Sequence, residues 1–517
     1  MTERVVVVTG GGGGIGAAIA EELGRQGAFV VTMDPLVSVD GSEQLPAPEE
    51  TTAGRIVANG GKARATSVSV TDGEAVCALF DGLVDEFGAV DGVINVAGIS
   101  RPTSFAGGSE GDWRSVLDVH LNGYRNILEA ALPSMAEARH GRILGVTSGS
   151  GWRAADTGAY GCAKRAVASL TWQLGWQTPP GVVVNAMSPI AVTRMVTSAL
   201  GNAAPSASSS KTGGLNLGSM PQPEELGPLG AYLVSDEFAW CSGEVIFAGG
   251  PEVAVVEQPR LLEVVRADDV AALPHILESI GGALAAAEAS QLSGGGSNPR
   301  FPDLAGAVGD LPASAVTTCA VVGDSADVIA AVTAALEARK VACVRVGSPD
   351  ELAASGADGV VTAFAGSPAA TGASEWERTL IEHEDIVEQI YADSRWARAV
   401  ADADRPMRLV TLTSANTTGG RSRAQASAQL ARSSRKATKD RVAAYAVSVE
   451  GADARAVGEF AAHLTCSPDA LELAGAELVA GERWIGVRSH PRPSSSLVIG
   501  APEIPEWFDG ALRSMVR

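Results

Sequence analysis

The sequence predicts an α/β protein with two tandem domains, each a doubly wound parallel sheet covered by helices on both faces. Three observations support this fold class. The chain opens with an apolar strand, a glycine-rich turn and an amphipathic helix; strand-like apolar runs then alternate with helical segments to about residue 250; and a weaker copy of the pattern follows residue 315. Such alternation is typical of parallel sheets, because the crossover between parallel strands is usually a helix.

The first strand, turn and helix form a candidate nucleotide site. The valines from Val5 to Val8 make a short apolar run, and glycines dominate the turn from Thr9 to Gly16. Glycine tolerates positive φ and lets a pyrophosphate approach the backbone, while the helix that follows offers free N–H groups. A glycine run alone is weak evidence for a nucleotide site, because linkers contain such runs too. Its position between a strand and a helix favours the nucleotide interpretation.

Asp34 ends the next strand, which begins at Phe29. A carboxylate at this place can accept hydrogen bonds from the ribose 2′ and 3′ hydroxyls, and it would repel a 2′-phosphate. No Arg or Lys stands beside it in the sequence. We therefore expect NAD rather than NADP. The alternative is an ordinary acidic residue at the start of a loop before Pro35.

The other elements of the first domain follow in alternation. A segment rich in proline, glycine and acidic residues, 35–55, separates Asp34 from a helix that ends at Gly60. Beyond it, apolar runs predict strands at 65–72, 90–98 and 143–148, and a longer periodic segment predicts a helix at 113–135.

The segment after the strand at 143–148 carries the candidate catalytic groups. Tyr160 stands twelve residues after Ser148, and Lys164 stands four residues after Tyr160. Residues four apart share one face of a helix. A lysine ammonium about 4–5 Å from the phenol would lower the pKa of the tyrosine by about 2–3 units. Alone, this spacing is common by chance, and the alternative is an ordinary helix start with a buried tyrosine.

The first 250 residues resemble the short-chain dehydrogenase/reductase family. The matching motifs occur in the family's order and at its spacing: the glycine turn from Thr9 to Gly16, Asn95 with Ala97 and Gly98, Asn122, Ser148, Tyr160 with Lys164, and the run from Asn185 to Pro189. The insertion after Asp34 is similar to the branch that contains the dehydrogenase unit of peroxisomal multifunctional β-oxidation enzymes. That branch acts on 3-hydroxyacyl-CoA and steroid-like alcohols.

The resemblance implies a role for each matching residue. Tyr160 would be the general acid/base, and Ser148 would hold the substrate oxygen. Lys164 would lower the pKa of Tyr160 and bind the nicotinamide ribose, and Asn122 would place a water in a proton relay toward Lys164. Besides Tyr160 and Lys164, the implied NAD-binding residues are Gly10, Gly14, Ile15, Gly16, Asp34, Asn95, Ala97, Gly98, Pro189 and Thr193.

Several positions depart from the family or leave its substrate open. Ser69 stands where the family often has Asp, which puts a side-chain contact to adenine in doubt. The resemblance makes residues 196–224 a substrate lid, with a plain surface loop as the alternative. Trp152 and Arg153 fall where the family lines its pocket. An Arg there could meet a substrate carboxylate or phosphate, or lie on the surface.

The second half repeats the strands of the first without its chemistry. Runs beginning at Cys319, Asp358, Leu409 and Val442 track strands of the first half, but acidic residues follow Gly323 where the glycine turn would be, and no Tyr–Lys pair remains. We expect a catalytic NAD-binding domain at 1–255, a helical extension and linker at 256–314, and a degenerate, non-catalytic Rossmann-like domain at 315–517. The second copy could replace a partner subunit, so that a homodimer would resemble a tetramer.

The composition of the chain argues against several classes of binding partner. The net charge of −21 disfavours nucleic acid and anionic membranes, because both require Lys and Arg against phosphate groups. No apolar run approaches the ~20 residues that span a bilayer, and the N-terminus lacks a signal-peptide layout. The six cysteines and six histidines show neither disulfide-frame nor metal-ligand spacing. We therefore expect a cytoplasmic protein without a metal.

Together these features predict an NAD(H)-dependent oxidoreductase that interconverts a secondary alcohol and a ketone. A 3-hydroxyacyl-CoA-like, steroid or terpenoid alcohol would suit the branch that the sequence resembles. The alternative is a nucleotide-binding sensor or scaffold with a vestigial dehydrogenase site.

Overall fold

The computed structural model describes residues 4–153, 155–201, 221–267, 269–293, 313–372, 374–499 and 503–516. Their strands form two large, mostly parallel sheets with helices packed against them. The predicted α/β class with two tandem doubly wound sheets is confirmed. Within the described residues, no helix is both long and apolar enough to cross a membrane.

The first half of the chain builds the elements that surround the candidate site. In chain order they are β1 (Val5–Thr9), α1 (Gly14–Arg25), β2 (Phe29–Met33), α2 (Thr52–Ala58), β3 (Lys62–Thr66), α3 (Gly73–Phe87), β4 (Gly92–Asn95), α4 (Glu110–Leu117), α5 (Gly123–Ala138), β5 (Gly141–Val146), α6 (Gly158–Leu174), β6 (Val182–Pro189), α7 (Arg194–Gly201), α8 (Gly227–Leu233), β7 (Val245–Gly249), β8 (Glu252–Glu257), β9 (Leu261–Arg266) and α9 (Leu273–Ser293).

The second half continues the alternation. Its elements are β10 (Thr318–Gly323), α10 (Ala326–Ala338), β11 (Ala342–Val344), α11 (Leu352–Ser355), β12 (Gly359–Phe364), α12 (Glu375–Glu382), α13 (Ile386–Asp402), β13 (Met407–Ser414), α14 (Thr418–Ala437), β14 (Val442–Glu450), α15 (Ala454–Cys466), β15 (Glu477–Gly481), β16 (Trp484–Arg488), β17 (Arg492–Val498) and α16 (Phe508–Met515).

Local sequence explains where several of these helices begin and end. The side chain of Asp72 accepts a hydrogen bond from the Ala75 N–H at the start of α3, and Gly88 ends that helix with φ 87°. Ser109 and Asp112 cap α4 reciprocally. Such caps satisfy backbone N–H groups that have no partner within the helix, and a left-handed glycine closes the other end.

The first sheet has its crossover point at β1, where the candidate site lies. Its strand order is β17-β8-β7-β6-β5-β4-β1-β2-β3, so β1 lies between β2 and β4, and the chain leaves β1 on one side and returns on the other. In open parallel sheets, ligands bind outside the carboxyl ends of the strands at such a point. The four valines of β1 are fully buried and fix the centre of the sheet.

The second sheet repeats the first almost strand for strand. Its order is β11-β10-β12-β13-β14-β15-β16-β9. Read from β9 inward, each strand takes the place of one in the first sheet read from β17 inward, and among the described strands only β3 has no counterpart. The internal repeat predicted from the sequence is therefore confirmed: β10, β12, β13 and β14 correspond to β1, β4, β5 and β6.

The two halves exchange their last strands. β17 pairs antiparallel with β8 in the first sheet, while β9 pairs antiparallel with β16 in the second. The inner ends of the two pairings, Arg488 with Leu261 and Arg492 with Glu257, share one register, and each pairing shifts register once farther out. Residues 252–266 and 484–498 therefore form a two-stranded ribbon that links both sheets. At its midpoint the Ser489 N–H donates to the Arg260 carbonyl at 2.7 Å. Each half therefore contributes an edge strand to the other.

This exchange differs from the predicted segment boundaries. The segment 256–314 was expected to hold only a helical extension and a linker, but β9 lies in it, and β8 crosses its start. Likewise the segment 315–517 contains β17, which belongs to the first sheet. The extension does include the helix α9, which packs on α15. Residues 294–312, most of the predicted linker, lie outside the described residues.

The first half and the second half also meet along α6 and α14, which pack side by side. The Gln173 side-chain amide donates to the Thr418 carbonyl at 3.2 Å and to the Ser422 hydroxyl at 3.3 Å. Farther along, the fully buried Arg165 forms an ion pair with Glu477 and a 2.7 Å hydrogen bond to Gln425. Most of α6 is buried by this contact and by the first sheet.

Candidate active site

One cavity joins the predicted cofactor residues to the predicted catalytic residues. It has a volume of about 590 Å³ and lies at the carboxyl ends of β1, β4, β5 and β6. Predicted site residues in its lining are Gly10, Gly14, Ile15, Asp34, Ala97, Gly98, Ser148, Tyr160, Lys164, Pro189 and Thr193. Gly16, Asn95 and Asn122 are not among the residues that line this cavity.

The glycine turn is shaped as the nucleotide interpretation requires. Gly10 and Gly14 have φ of 63° and 55°, a region that side-chain-bearing residues rarely adopt. A Cβ on Gly16 would lie 2.2 Å from the Gly10 carbonyl oxygen, so only glycine allows α1 to begin this close to β1. The N-terminus of α1 has no side-chain cap and no acidic residue in its first turn. Its free N–H groups therefore suit a pyrophosphate.

Asp34, the residue predicted to bind the ribose, lines the cavity, and two backbone N–H groups hold its carboxylate in place. Its carboxylate accepts hydrogen bonds from the Gly12 N–H at 2.9 Å and from the Leu36 N–H at 2.8 Å. A carboxylate oxygen can accept more than one hydrogen bond, so these contacts orient the group while leaving it able to accept from a hydroxyl.

Asn95 supports the cavity wall from behind. The Thr9 hydroxyl donates to the Asn95 side-chain oxygen at 2.8 Å and accepts from the Ala97 N–H at 3.1 Å. Asn95 thereby ties the end of β4 to the glycine turn. Gly98 lies against the ring of His120, where an added Cβ would come within 2.4 Å of the ring. The contact explains why this position has no side chain.

Ser148 and Tyr160 meet at the inner end of the cavity. Ser148 follows β5 and caps a short 3₁₀ turn, Gly149–Gly151, by accepting from the Ser150 N–H at 3.2 Å. Tyr160 and Lys164 lie one turn apart on α6, as the spacing predicts. Burial raises the pKa of Tyr160, and a side-chain hydrogen bond with Ser148 offsets part of that rise.

Lys164 was expected to lower the pKa of Tyr160, an effect that burial of the phenol opposes. Its ammonium donates to the Val146 carbonyl at 2.7 Å and lies 5.7 Å from the centre of the tyrosine ring. The side chain is only 4% exposed, and burial lowers its own pKa to about 7. The expected Coulombic effect assumed a fully charged lysine, and desolvation removes much of that charge near neutral pH.

Asn122 ends an irregular turn that the helix prediction missed. The predicted single helix is α4 and α5 joined by a π-helical turn at Asp118–Asn122. The Asn122 side-chain amide donates to Asp118 at 2.8 Å, while its side-chain oxygen is buried and has no partner among the described residues. A buried, unpaired acceptor of this kind is a place where a water could bind.

His120 is a site residue that the sequence reasoning did not assign. Its ring packs edge-on against Tyr160, with centroids 5.3 Å apart, and its Nε2 is 2.9 Å from the Ile99 carbonyl. Burial and the nearby Lys164 keep its pKa well below the ordinary value, so the ring is neutral. The signal available in the sequence was its repetition as His383 in the second half.

The insertion after Asp34 is a second part of the site that the sequence did not predict. Val37, Ser38, Val39 and Gly41 line the cavity. The Val39 carbonyl accepts from the Ser100 N–H at 2.9 Å, which fastens the insertion to the segment after β4. The sequence showed the insertion but not the wall that it forms.

The expected substrate region is only partly described. Thr193, Arg194, Met195 and Val196 line the cavity at the start of α7, while residues 202–220 of the predicted lid lie outside the described residues. Trp152 and Arg153 do not line the cavity. Trp152 is buried in a cluster with Trp172 and Phe247, and Arg153 is exposed.

The corresponding places in the second half carry different groups. The turn after β10 holds Asp324, whose carboxylate accepts from the Ala365 N–H at 2.5 Å. α14, the counterpart of α6, contains no tyrosine. Its buried Arg423 instead forms a two-bond ion pair with Asp393, at 2.7 and 3.0 Å. The charged groups of Asp324, Arg423 and Asp393 thus find their hydrogen-bond partners within the second half.

Comparison with known proteins identifies relatives of part of the chain. The short chain dehydrogenase family matches residues 4–203. A putative short-chain type dehydrogenase/reductase of Mycobacterium tuberculosis is 34% identical over 250 residues, which are 48% of this chain and 83% of that protein. The 3-oxoacyl-[acyl-carrier-protein] reductase of Vibrio cholerae is 30% identical over 249 residues, 48% of this chain and 96% of that protein. A peroxisomal hydratase-dehydrogenase-epimerase of Neurospora crassa is 30% identical over 259 residues, 50% of this chain but 27% of that longer protein.

Proposed function

Because the chain belongs to the short-chain dehydrogenase/reductase family, we propose that it is an NAD(H)-dependent oxidoreductase that interconverts a secondary alcohol and a ketone. One observation carries the proposal. A single cavity has Ser148, Tyr160 and Lys164 at one end and the glycine turn with Asp34 at the other. A dinucleotide that spans this cavity brings its reactive ring to the tyrosine.

The residues present fit NAD. The uncapped N-terminus of α1 and the close backbone at Gly16 suit the pyrophosphate, and Asp34 suits the ribose hydroxyls. The carboxylate would repel the 2′-phosphate of NADP. When bound, NAD supplies the hydride acceptor at C4 of the nicotinamide.

The protein's own groups handle the proton and the substrate oxygen. The Ser148 hydroxyl holds the oxygen by a hydrogen bond. The Tyr160 side chain takes the hydroxyl proton as a phenolate in oxidation, and as a phenol it returns the proton in reduction. Lys164, with its pKa lowered to about 7, can itself gain and lose a proton near neutral pH. It can therefore pass the proton onward from the tyrosine, and a water at the free oxygen of Asn122 would extend that relay.

The substrate is a secondary alcohol whose remaining part is largely apolar, such as a 3-hydroxyacyl thioester, a steroid or a cyclic terpenoid. The name of one relative, a 3-oxoacyl-[acyl-carrier-protein] reductase, supports an acyl substrate. Apolar residues of the cavity lining, including Val196 and Met195, are compatible with all three classes.

The second half acts as a built-in, non-catalytic partner. Its α14 packs against α6 as a second subunit would, so one chain is a pseudo-dimer and a homodimer of chains would be a pseudo-tetramer. The six cysteines are free thiols, which suits a reducing compartment such as the cytoplasm.

The proposal is tested by NADH formation with a panel of secondary alcohols from these three classes. Replacing Tyr160→Phe removes the acid/base and is expected to lower kcat by about 10²–10⁴-fold. Tyr124→Phe is the control, because this tyrosine is fully buried and lies outside the cavity lining. Turnover that survives in Tyr160→Phe would refute the mechanism, and NAD binding without turnover of any alcohol would favour a nucleotide-binding role instead.

A further inference from the structure

The loop that carries Ser148 rests on the second half of the chain. We define the catalytic loop as Gly149–Arg153, the segment that directly follows Ser148. Two of its backbone carbonyls turn toward α14. No residue of α14 is among the described residues that line the substrate cavity, so any effect of this helix on the reaction passes through the loop.

Gln429 makes the most direct contact. Its side-chain amide donates to the carbonyls of Ser150 and Arg153, each at 3.0 Å. The side chain is buried, and its Cγ would lie 3.5 Å from a Cβ at Gly161, next to Tyr160. One glutamine thus joins two ends of the catalytic loop and touches the start of α6.

Arg165 makes a second, indirect contact. Its guanidinium donates to the Gly151 carbonyl at 3.2 Å. The same guanidinium is fixed by two groups of the second half, Gln425 at 2.7 Å and the carboxylate of Glu477. Because Arg165 adjoins Lys164 on α6, these groups hold α6 and the catalytic loop together.

The contacts form one stripe along α14. Gln425, Gln429 and Ser433 follow each other at intervals of four, which places them on one face of the helix. Ser433 interacts with the carboxylate of Asp156, which in turn accepts from the Phe105 N–H at 2.7 Å. Gln429 and Ser433 of the stripe therefore contact the segment between Ser148 and Tyr160 at Ser150, Arg153 and Asp156.

We propose that Gln429 is a positioning residue for the reaction, acting through the carbonyls of Ser150 and Arg153 to hold Ser148 toward the substrate oxygen. This inference rests on the proposed dehydrogenase function. It gives the second half a specific role in the reaction, because the side-chain donor that joins these two carbonyls comes from α14 and not from the catalytic half.

The test replaces the amide without changing the size of the side chain. Gln429→Met removes both donors, and Gln429→Glu keeps the shape and polarity but presents a carboxylate that cannot donate. Gln173→Met is the matched control, because Gln173 also bonds across the α6–α14 contact but far from the loop. Hydrogen exchange of loop peptides and steady-state kinetics are measured on all three full-length variants.

The expected result has two parts. Loop amides exchange about tenfold faster in both Gln429 variants, equivalent to about 1.4 kcal/mol, but not in Gln173→Met. In the same Gln429 variants kcat falls by about tenfold while KM for NAD is unchanged, since the nucleotide end of the cavity is untouched.

Three results would count against the inference. Equal exchange in the Gln429 and Gln173 variants would show that the loop does not depend on this contact. Faster exchange with wild-type kcat would show that loop position does not matter for the reaction. A wild-type protein that turns over no alcohol would overturn the proposed function and this inference with it, and loop exchange would still separate that failure from loss of the contact.

Discussion

At the residue scale, burial governs the charge of the candidate catalytic pair. Lys164 and Tyr160 lie within the same wall of the cavity, and no carboxylate among the described residues forms an ion pair with the lysine. Desolvation disfavours the charged form of both groups, so it lowers the pKa of the lysine and raises that of the tyrosine. The pKa of Lys164 thereby comes near neutrality, where a group can serve in proton transfer.

The lowered pKa of Lys164 has a consequence for stability. In the unfolded chain the lysine titrates near 10.5, and in the folded chain near 7. Between these values the unfolded state binds more protons, so the free energy of unfolding rises with pH from about 7 to about 10.5. Below pH 7 both states are protonated and the dependence vanishes.

We expect Lys164→Met to remove this pH dependence. Relative to the variant, the wild-type protein without NAD should gain at most about 1.4 kcal/mol of stability per pH unit between about pH 7 and 10. Thermal melts across this range measure the difference. Lys340→Met, at an exposed lysine, is the control and should follow the wild type. Parallel curves for wild type and Lys164→Met would show that Lys164 is not desolvated as described.

Also at the residue scale, the sequence predicted which residues occupy the site. It did not predict their charges or the tertiary contacts that support them. The positions of Tyr160, Lys164 and Asp34 in the cavity follow from their places after strands and on one helix face. The charge on Lys164 depends on packing by distant segments, which spacing does not encode. Likewise His120 and Asn95 act by contacts across the fold, to Tyr160 and Thr9, that no local pattern shows.

At the element scale, the glycine turn and α1 form the most tightly constrained part of the site. Gly16→Ala would force a Cβ to 2.2 Å from the Gly10 carbonyl, so either the turn or α1 must move. We expect loss of NAD binding, because the N–H groups of α1 then no longer face the pyrophosphate. Titration with NAD measures this directly.

A glycine in another helix provides the comparison. A Cβ on Gly82, in α3, would meet no atom within 4 Å. Gly82→Ala should raise stability by about 0.5–1 kcal/mol, because alanine favours the helix, and leave NAD affinity unchanged. Unaltered NAD affinity in Gly16→Ala would contradict the role given to the turn.

Elements with a clear period were predictable, and the exchanged strands were not. β1, β5 and α6 follow directly from apolar runs and helical spacing. β8 and β9 are short apolar runs, which periodicity alone does not distinguish from buried helix. Their pairing partners, β17 and β16, lie far along the chain, so only the tertiary structure reveals the ribbon.

At the scale of the whole molecule, the exchange makes the two halves interdependent. β9 and α9 come from the first half of the chain but pack in the second half. β17 and α16 come from the second half but pack in the first. Phe508 and Leu512 of α16 are fully buried in the first half's core, and Asp509 accepts hydrogen bonds from Tyr232 at 2.6 Å and Trp240 at 2.8 Å. The second half therefore completes both the sheet and the core of the first half.

Deleting residues 300–517 should consequently yield an aggregating or poorly active first half. The deletion uncovers the edge of β8 and removes the buried side chains of α16, and exposed strand edges promote association. Size-exclusion chromatography and NADH formation measure the outcome. Co-expression of residues 300–517 as a separate chain should restore solubility, whereas full activity and solubility of residues 1–299 alone would rule out this dependence.

The repeated sheets raise the question of how many coenzymes one chain binds. The first half has an uncapped α1 and a cavity beside Asp34, while in the second half Asp324 occupies the matching turn with its own carboxylate. Two sheets of one topology should therefore provide one active site, with the second sheet in a supporting role.

Calorimetric titration of the full-length protein with NAD tests this claim most directly. The structure predicts one equivalent of NAD per 517-residue chain. Two equivalents per chain, or no binding at all, would contradict it.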